Sequence, residues 1–403
     1  MNPQDKERIV SKLKALNKPE MALEIEKMWD KTAESYSQYI NSYTPQIKME
    51  PVLKNAFSSE LKRVGYEDSE TKQILEDMDN NRIIQTAPHL IPSNGPRMFF
   101  IDWLSSLNLN RSHYVVAMYS GIPFSNSFHP GCLSFKVNEK DEKRIWVVPS
   151  KMQDDLVFKS ALTEKTNTVI SALPNNLKDY FSSHLNEASY TKWALESQRK
   201  INSKVLGKDN LVYIDLNEVV SNYLIEICKQ PEHVLYKILF DIETRGHFQK
   251  FFGNEKLFVT PYTNKKYPDN ESLGLSSDAL IGKHHEIKIA PQSLTEALEL
   301  KRLCPSTFTC FLVLAFINGF KCLGSFRQSV YLPAYKTRLI NSQLLDNTKI
   351  ESVPCCNLTT GIFTQKEMLN VRPLDILSGE TFSPDKDILM GEVIMAVEEL
   401  LYT

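Results

Sequence analysis

Two turn-forming stretches in the first third of the chain hold side chains able to bind anions or move protons. The first, residues 86–97, reads TAPHLIPSNGPR. His89 can exchange a proton near neutral pH, and Ser93 with Asn94 can hold a phosphate or carboxylate beside Arg97. Thr86 opens the stretch. The alternative is an ordinary loop whose histidine caps a helix.

The second stretch, residues 119–131, reads YSGIPFSNSFHPG and follows the most strand-like segment of the chain. Ser120, Ser125 and Asn126 supply neutral hydrogen-bonding groups, and His129 supplies a second titratable group. A tight turn that uses serine and asparagine for their backbone preferences is an equally good interpretation.

Two later stretches could complete a pocket. In Lys283-His284-His285-Glu286, adjacent side chains point to opposite faces of a strand and no HExxH or CxxC spacing occurs, so we predict no metal site. We expect His285 to enter a polar pocket, the alternative being a surface strand start. Arg327 and Gln328, beside a glycine turn, could close the same pocket.

The elements around the first two stretches predict a parallel sheet. Residues 82–86 form a short apolar run, residues 98–107 have a helical pattern, and residues 114–119 are continuously apolar, as in a strand buried on both faces. This βαβ order places both stretches at the carboxyl ends of neighbouring strands, where α/β sheets bind ligands. We expect the other half of the pocket to come from residues 283–331.

The whole chain is predicted to be an α/β protein with a Rossmann-like parallel sheet flanked by helices. Residues 1–80 form a helical N-terminal segment, 81–260 the Rossmann-like core, and 261–403 a part that completes the site. Residues 132–149 predict a β-hairpin insertion. One helix is expected over 232–252, and a polar loop over 263–283.

Composition narrows the functional classes. The net charge of −2 gives no electrostatic basis for binding nucleic acid or an anionic membrane. The longest apolar run, Phe308 to Phe320, is shorter than the roughly 20 residues that span a bilayer. An odd set of seven cysteines in apolar contexts and a charged N-terminus predict a soluble cytoplasmic protein. The N-terminal helices could mediate homo-oligomer assembly.

The order of elements resembles the bacillithiol-forming cysteine ligase family. In that family a strand leads into a T-G-Q-Q-x-G turn and then G-P and a helix; here the corresponding residues are Thr86 to His89, Gly95-Pro96 and the Met98 helix. Near the C-terminal part, Cys304-Pro305, an apolar helix, Gly324-Ser325, Gln328 and Tyr331 stand where the family has an R-P helix and a glycine turn. The double glutamine is replaced by Pro88-His89, and the family's C-terminal coiled coil has no counterpart.

This resemblance implies a Rossmann-like nucleotide-binding core and carbon–nitrogen ligation on a small amino acid. We therefore predict a small-molecule biosynthetic enzyme that joins an amino acid to an amine with ATP or another nucleotide as cofactor. His89 and His129 are the predicted catalytic groups. Two alternatives stay open: a group transferase that uses a sugar nucleotide or another activated donor, and a non-catalytic metabolite-binding protein.

Overall fold

The computed structural model describes residues 2–107, 112–126, 131–138, 141–183, 185, 189–253, 255–261 and 270–402. The strands are β1 (Ile83–Gln85), β2 (Tyr114–Met118), β3 (Cys132–Lys136), β4 (Glu142–Trp146), β5 (Leu211–Asp215), β6 (Lys256–Thr260), β7 (Glu271–Leu275), β8 (Ala279–Ile281), β9 (Glu286–Lys288), β10 (Cys304–Pro305) and β11 (Lys321–Leu323).

Helices precede, separate and follow these strands. They are α1 (Pro3–Ala15), α2 (Pro19–Met28), α3 (Ala33–Ile40), α4 (Pro51–Arg63), α5 (Asp68–Asn81), α6 (Pro96–Ser106), α7 (Glu164–Ser171), α8 (Asn175–Phe181), α9 (Tyr190–Leu206), α10 (Leu216–Ile227), α11 (Val234–Phe240), α12 (Ile242–Phe252), α13 (Pro291–Glu299), α14 (Thr307–Phe311), α15 (Gln328–Ser342), α16 (Asn347–Glu351), α17 (Pro373–Leu377), α18 (Met390–Ala396) and α19 (Glu398–Leu401). Several begin with proline, whose fixed φ suits the first turn and whose missing N–H costs nothing there.

The predicted parallel sheet is confirmed. Its strand order is β11-β1-β2-β5, and every neighbouring pair is parallel. Ile83 and Leu323 contribute to one apolar cluster and Ile84 and Cys322 to another, so helices cover both faces. This burial on both faces explains why β2 is continuously apolar.

The fourth strand of this sheet comes from the C-terminal part of the chain. β11 pairs with β1 in the register Ile83↔Lys321, Ile84↔Cys322 and Gln85↔Leu323. The carboxyl ends of β1 and β11 therefore lie side by side. The turn that follows β11 continues along the sheet edge, because Gly324 makes a parallel bridge to Leu358.

The remaining strands form two separate antiparallel sheets. The predicted hairpin is present as β3 and β4, paired from Cys132↔Trp146 to Lys136↔Glu142. The other sheet has the order β10-β6-β7-β8-β9.

Two local predictions were wrong. The polar stretch expected to be a loop contains β7 and β8, because hydrogen bonding to β6 organises a sequence with weak strand propensity. Its residues 262–269 lie outside the described part of the chain. The helix expected over 232–252 is interrupted at Asp241, whose carboxylate accepts from the N–H of Thr244 at 2.8 Å and starts α12.

The helical N-terminal segment packs onto the rest of the protein. Apolar residues of α1 to α3 share a core with α6 and the C-terminal helices, whereas α4 and α5 contribute to the main core. Within the described residues, no helix combines the length and apolarity needed to cross a membrane.

Candidate functional site

The carboxyl ends of β1 and β11 are joined by side chains from the two turns that follow them. Thr86 Oγ1 lies 3.0 Å from both Leu323 O and Gln328 Oε1, and Gln328 Nε2 donates to Cys322 O at 2.9 Å. Thr86 and Gln328 are buried. Their role in this geometry is to hold the two turns together rather than to contact a ligand.

A glycine makes this arrangement possible. A Cβ atom at Gly324 would lie 2.0 Å from Gln328 Cδ, well inside any tolerated contact. Only glycine therefore lets the Gln328 side chain fold back over the end of β11. Two threonines from the next segment fix the same turn: Thr359 Oγ1 donates to Gly324 O at 2.8 Å, and Thr360 Oγ1 accepts from Phe326 N at 2.9 Å.

His89 belongs to the loop after β1, where a parallel bridge to Tyr119 holds it beside the end of β2, and its tautomer is defined. Leu90 N donates to Tyr119 O, and Tyr119 N donates to Pro88 O, both at 2.9 Å. His89 Nδ1 lies 2.9 Å from Asn126 O. Because a carbonyl oxygen only accepts, Nδ1 carries the proton and the lone pair of the neutral ring is on Nε2.

The charge state of His89 follows from its surroundings. Burial lowers the pKa of the imidazole, and the nearby guanidinium of Arg327 lowers this pKa further, although the hydrogen bond to Asn126 O opposes both effects. At neutral pH His89 is therefore an uncharged ring with a basic Nε2. The same interaction places Arg327 close enough to His89 to act on it electrostatically.

Two helices begin in the turns that follow β1 and β11, and neither has a side-chain cap. α6 is preceded by Gly95, which has no side chain, and α15 is preceded by Arg327, whose guanidinium can only donate. The positive end of the helix dipole favours anions at both places. In α15 the N–H groups of Ser329 and Val330 already donate to Ser325 O and Arg327 O. Arg97 in the first turn of α6 and Arg327 are both exposed. The arrangement is suited to an anionic group.

Asn94 anchors the first loop to the protein interior. It is buried, and Nδ2 donates to Asp102 Oδ2 at 2.8 Å. Asn202 Nδ2 and Tyr213 Oη also donate to Asp102 Oδ2, at 2.8 and 3.2 Å. Burial raises the pKa of Asp102 to about 7. Ser93, the preceding residue, is half-buried.

The second loop divides into a buried part and an exposed part. Ser120 Oγ donates to Asp215 Oδ1 at 2.7 Å, and the N–H groups of Ser120 and Gly121 donate to Asn217 Oδ1 at 2.8 and 2.9 Å. Ser125 and Asn126 are exposed on a short 3-10 helix. Ser120 is thus enclosed by protein groups, whereas Ser125 and Asn126 are accessible. His129 lies outside the described residues.

His285 lies immediately before β9, beside a different sheet from the other predicted residues. Its Nδ1 lies 2.6 Å from Glu271 Oε2, across the antiparallel sheet that contains β7 and β9. No contact among the described residues connects it to the loops after β1 and β2. Those loops instead meet the turn at Arg327 and Gln328.

Four polar residues that shape this edge were not predicted from the sequence: Asp102, Asp215, Asn217 and Thr360. Asp102 had a usable signal, since it is a lone carboxylate in the apolar run FFIDWL. Asp215 could also have been found from the sequence, because an acidic residue between a buried strand and a helix is typical of a helix N-cap. In the structure its carboxylate accepts from Asn217 N at 3.0 Å.

The described residues contain no group of three or more histidine, cysteine or acidic side chains placed to hold a metal ion. Comparison of the sequence with models of known protein families gives no match, and a search of curated proteins gives no significant match. The geometry of the β1–β11 edge is therefore the basis for assigning a function.

Proposed function

We propose that the crevice between the carboxyl ends of β1 and β11 binds a small anionic or nucleotide-type metabolite. The observation that carries this proposal is the strand order. Along the chain, the four parallel strands follow one another as β1, β2, β5 and β11. Across the sheet their order is β5, β2, β1, β11, which is third, second, first, fourth. The order reverses between β1 and β11, and ligands of open α/β sheets bind at such a reversal.

The first four strands of a Rossmann sheet have this same order, so we infer that the core is Rossmann-like. The residues at the reversal fit the same interpretation. Arg327 and the positive end of the α15 dipole offer positive charge, as a phosphate requires. His89 stands beside them, within electrostatic reach of Arg327.

For the reaction, we propose carbon–nitrogen ligation on an amino acid, with ATP or another nucleotide as the source of activation. An amine nitrogen attacks the activated carbonyl carbon, its proton passes to His89 Nε2, and the phosphate-bearing group leaves. A neutral histidine with a free lone pair is suited to this proton transfer. Arg327 would bind the leaving group.

A ligand screen tests the binding proposal. Thermal unfolding is measured with ATP, a sugar nucleotide or an amino acid in excess; a ligand at 100 times its Kd stabilises a protein by about 2.7 kcal/mol. We expect ATP to raise the Tm. A rise with the sugar nucleotide alone would replace the ligase by the transferase alternative, and the absence of any rise with nucleotides would reject the nucleotide site.

The role of His89 is tested by His89→Ala, with His113→Ala as the matched control. His113 lies just before β2, at the opposite edge of the sheet, and contacts Asp77. We expect His89→Ala to reduce amine-dependent phosphate or pyrophosphate release by about 10²- to 10⁴-fold, with ATP binding retained. His113→Ala should keep the wild-type rate. Equal rates in both variants would remove His89 from the mechanism, and nucleotide binding without release in the wild type would favour the non-catalytic alternative.

A further inference from the structure

A second cleft, separate from the His89 crevice, lies between α2, α15 and the segment 351–357. Its volume is about 970 Å³, within the range of pockets that hold small metabolites. Ser329 and Val330 of α15 form part of one wall, and Asn357 forms part of another. Gln328, which precedes Ser329, is the residue that bonds to Thr86 on the β1 side.

Two buried polar groups at this cleft lack a strong hydrogen-bond partner. Ser329 is 3% exposed and Asn357 is 4% exposed. Asn357 Nδ2 has no hydrogen-bond partner in the described part of the chain, and the hydroxyl of Ser329 interacts with the thiol of Cys356, which is a weak partner. A buried unpaired donor costs roughly 1–3 kcal/mol, so such groups are normally satisfied by water or a ligand. Both residues line the cleft, which gives a ligand access to them.

The charge of the lining favours an anion. Four ammonium groups line the cleft, those of Lys18, Lys27, Lys321 and Lys336, against three carboxylates, those of Glu20, Glu24 and Glu351. Arg338 also lines it but is paired with Glu255.

Three of the ammonium groups donate to main-chain carbonyls, which carry no net charge. Lys18 donates to Leu401 O, Lys321 to Ser42 O, and Lys336 to Glu351 O and Val353 O. These contacts hold the three ammonium groups in place, and Lys321 also acts electrostatically on the carboxylate of Glu24. Ser329 is in the first turn of α15, where the helix dipole adds positive potential.

We propose that this cleft binds a small metabolite through an anionic head group, a phosphate or a carboxylate, which accepts hydrogen bonds from Asn357 Nδ2 and Ser329 Oγ. The lysines supply the long-range attraction, and the two buried groups supply the directional contacts. This site is independent of the function proposed for the β1–β11 crevice, because it uses neither His89 nor Arg327.

Calorimetric titration of the full chain with inorganic phosphate, and separately with malonate, tests the proposal and distinguishes the two head groups. Asn357→Asp keeps the side-chain size but places a negative charge at the donor, and Ser329→Ala removes the hydroxyl. We expect each to weaken binding of the preferred anion by about tenfold or more. The matched control Asn176→Asp, at an exposed site beyond the cleft, should bind like the wild type.

Arg327→Ala identifies which site the anion occupies. If phosphate or malonate binds in the cleft, Arg327→Ala retains wild-type affinity while Asn357→Asp and Ser329→Ala lose it. The proposal is overturned if neither anion binds the wild type, or if binding is lost in Arg327→Ala and kept in the two cleft variants. Should Asn357→Asp fail to fold, Ser329→Ala carries the same comparison.

Discussion

The carboxyl edge of the parallel sheet has two halves that use similar residue types in opposite ways. At the β2–β5 half, Ser120, Asp215 and Asn217 are almost fully buried and bonded to one another. At the β1–β11 half, His89 is half-buried and Arg327 is exposed. A polar side chain at the end of a parallel strand is therefore a candidate for chemistry only where the protein leaves it unenclosed.

The largest expected effect is a loss of folding stability when the buried network of the β2–β5 half is broken. Asn217→Ala should lower the free energy of unfolding by roughly 3–5 kcal/mol, because it leaves the N–H groups of Ser120 and Gly121 and the carbonyl of Pro305 without their partner. Urea unfolding measures the change. Asn126→Ala, an exposed asparagine on the same edge, should change stability by less than about 0.5 kcal/mol. Similar losses in both variants would contradict the contrast between the halves.

A smaller effect is expected on the pH dependence of stability, through Asp102, the buried carboxylate that holds Asn94 of the first loop. Asp102 has its pKa raised to about 7 by burial, above the value of about 4 expected in the unfolded chain. A raised folded pKa gives stability that is complete below the unfolded pKa and is lost as pH rises through the folded one. Asp102→Asn keeps the shape without the titration, so it should gain roughly 2–4 kcal/mol relative to wild type between pH 4 and 8.

Urea unfolding of both proteins across this pH range gives the comparison, and effects of other titrating groups cancel in the difference. A constant difference between Asp102→Asn and wild type would mean that Asp102 stays ionised. In that case the first loop would be anchored by a charged carboxylate, and its attachment would not weaken as pH rises.

Arg327→Ala should weaken nucleotide binding at the crevice by roughly 1.5–3 kcal/mol, the usual contribution of a charged hydrogen bond, with stability almost unchanged. Titration calorimetry with ATP measures it. Arg302→Ala is the control, since Arg302 is also an exposed arginine but contacts Glu296 on another part of the surface. Equal affinities in the two variants would remove Arg327 from the proposed site.

The smallest effect is on the titration of His89. The guanidinium of Arg327 lowers the pKa of this imidazole, so Arg327→Ala should raise it. Proton NMR of the imidazole ring across pH 4–8 detects the change, and Arg302→Ala should leave the His89 curve where it is in wild type. A fall in the pKa of His89 in Arg327→Ala would show that the two side chains do not interact as described.

The sequence predicted the parts of the fold that depend on local pattern. The unbroken apolar run of β2 required a strand buried on both faces, and the parallel arrangement is confirmed. The three residues of β11 carry no periodic signal, so its place beside β1 could not be predicted from them. The Rossmann-like topology and the reaction remain proposals.

The site residues show the same limit. Ser120 and Ser125 belong to one turn and have the same side chain, yet only Ser120 is buried. What separates them is Asp215, which lies 95 positions further along the chain. No window of sequence around the turn contains that information. The carboxylate of Asp102, by contrast, stands alone in the apolar run FFIDWL, so its own neighbours would have sufficed to predict a buried polar anchor, although Asp102 was not predicted.

The pairing of β1 with β11 also has a consequence for how the protein folds. Thr86 and Leu323, which touch at the crevice, are 237 positions apart in the chain. Contacts of such separation form late, because a long loop must close before they yield any stabilisation. During synthesis the first three parallel strands emerge well before β11, so the edge of β1 that pairs with β11 stays unpaired until then. The crevice should thus be among the last features to form, and a chain stopped before Lys321 would expose a strand edge prone to association.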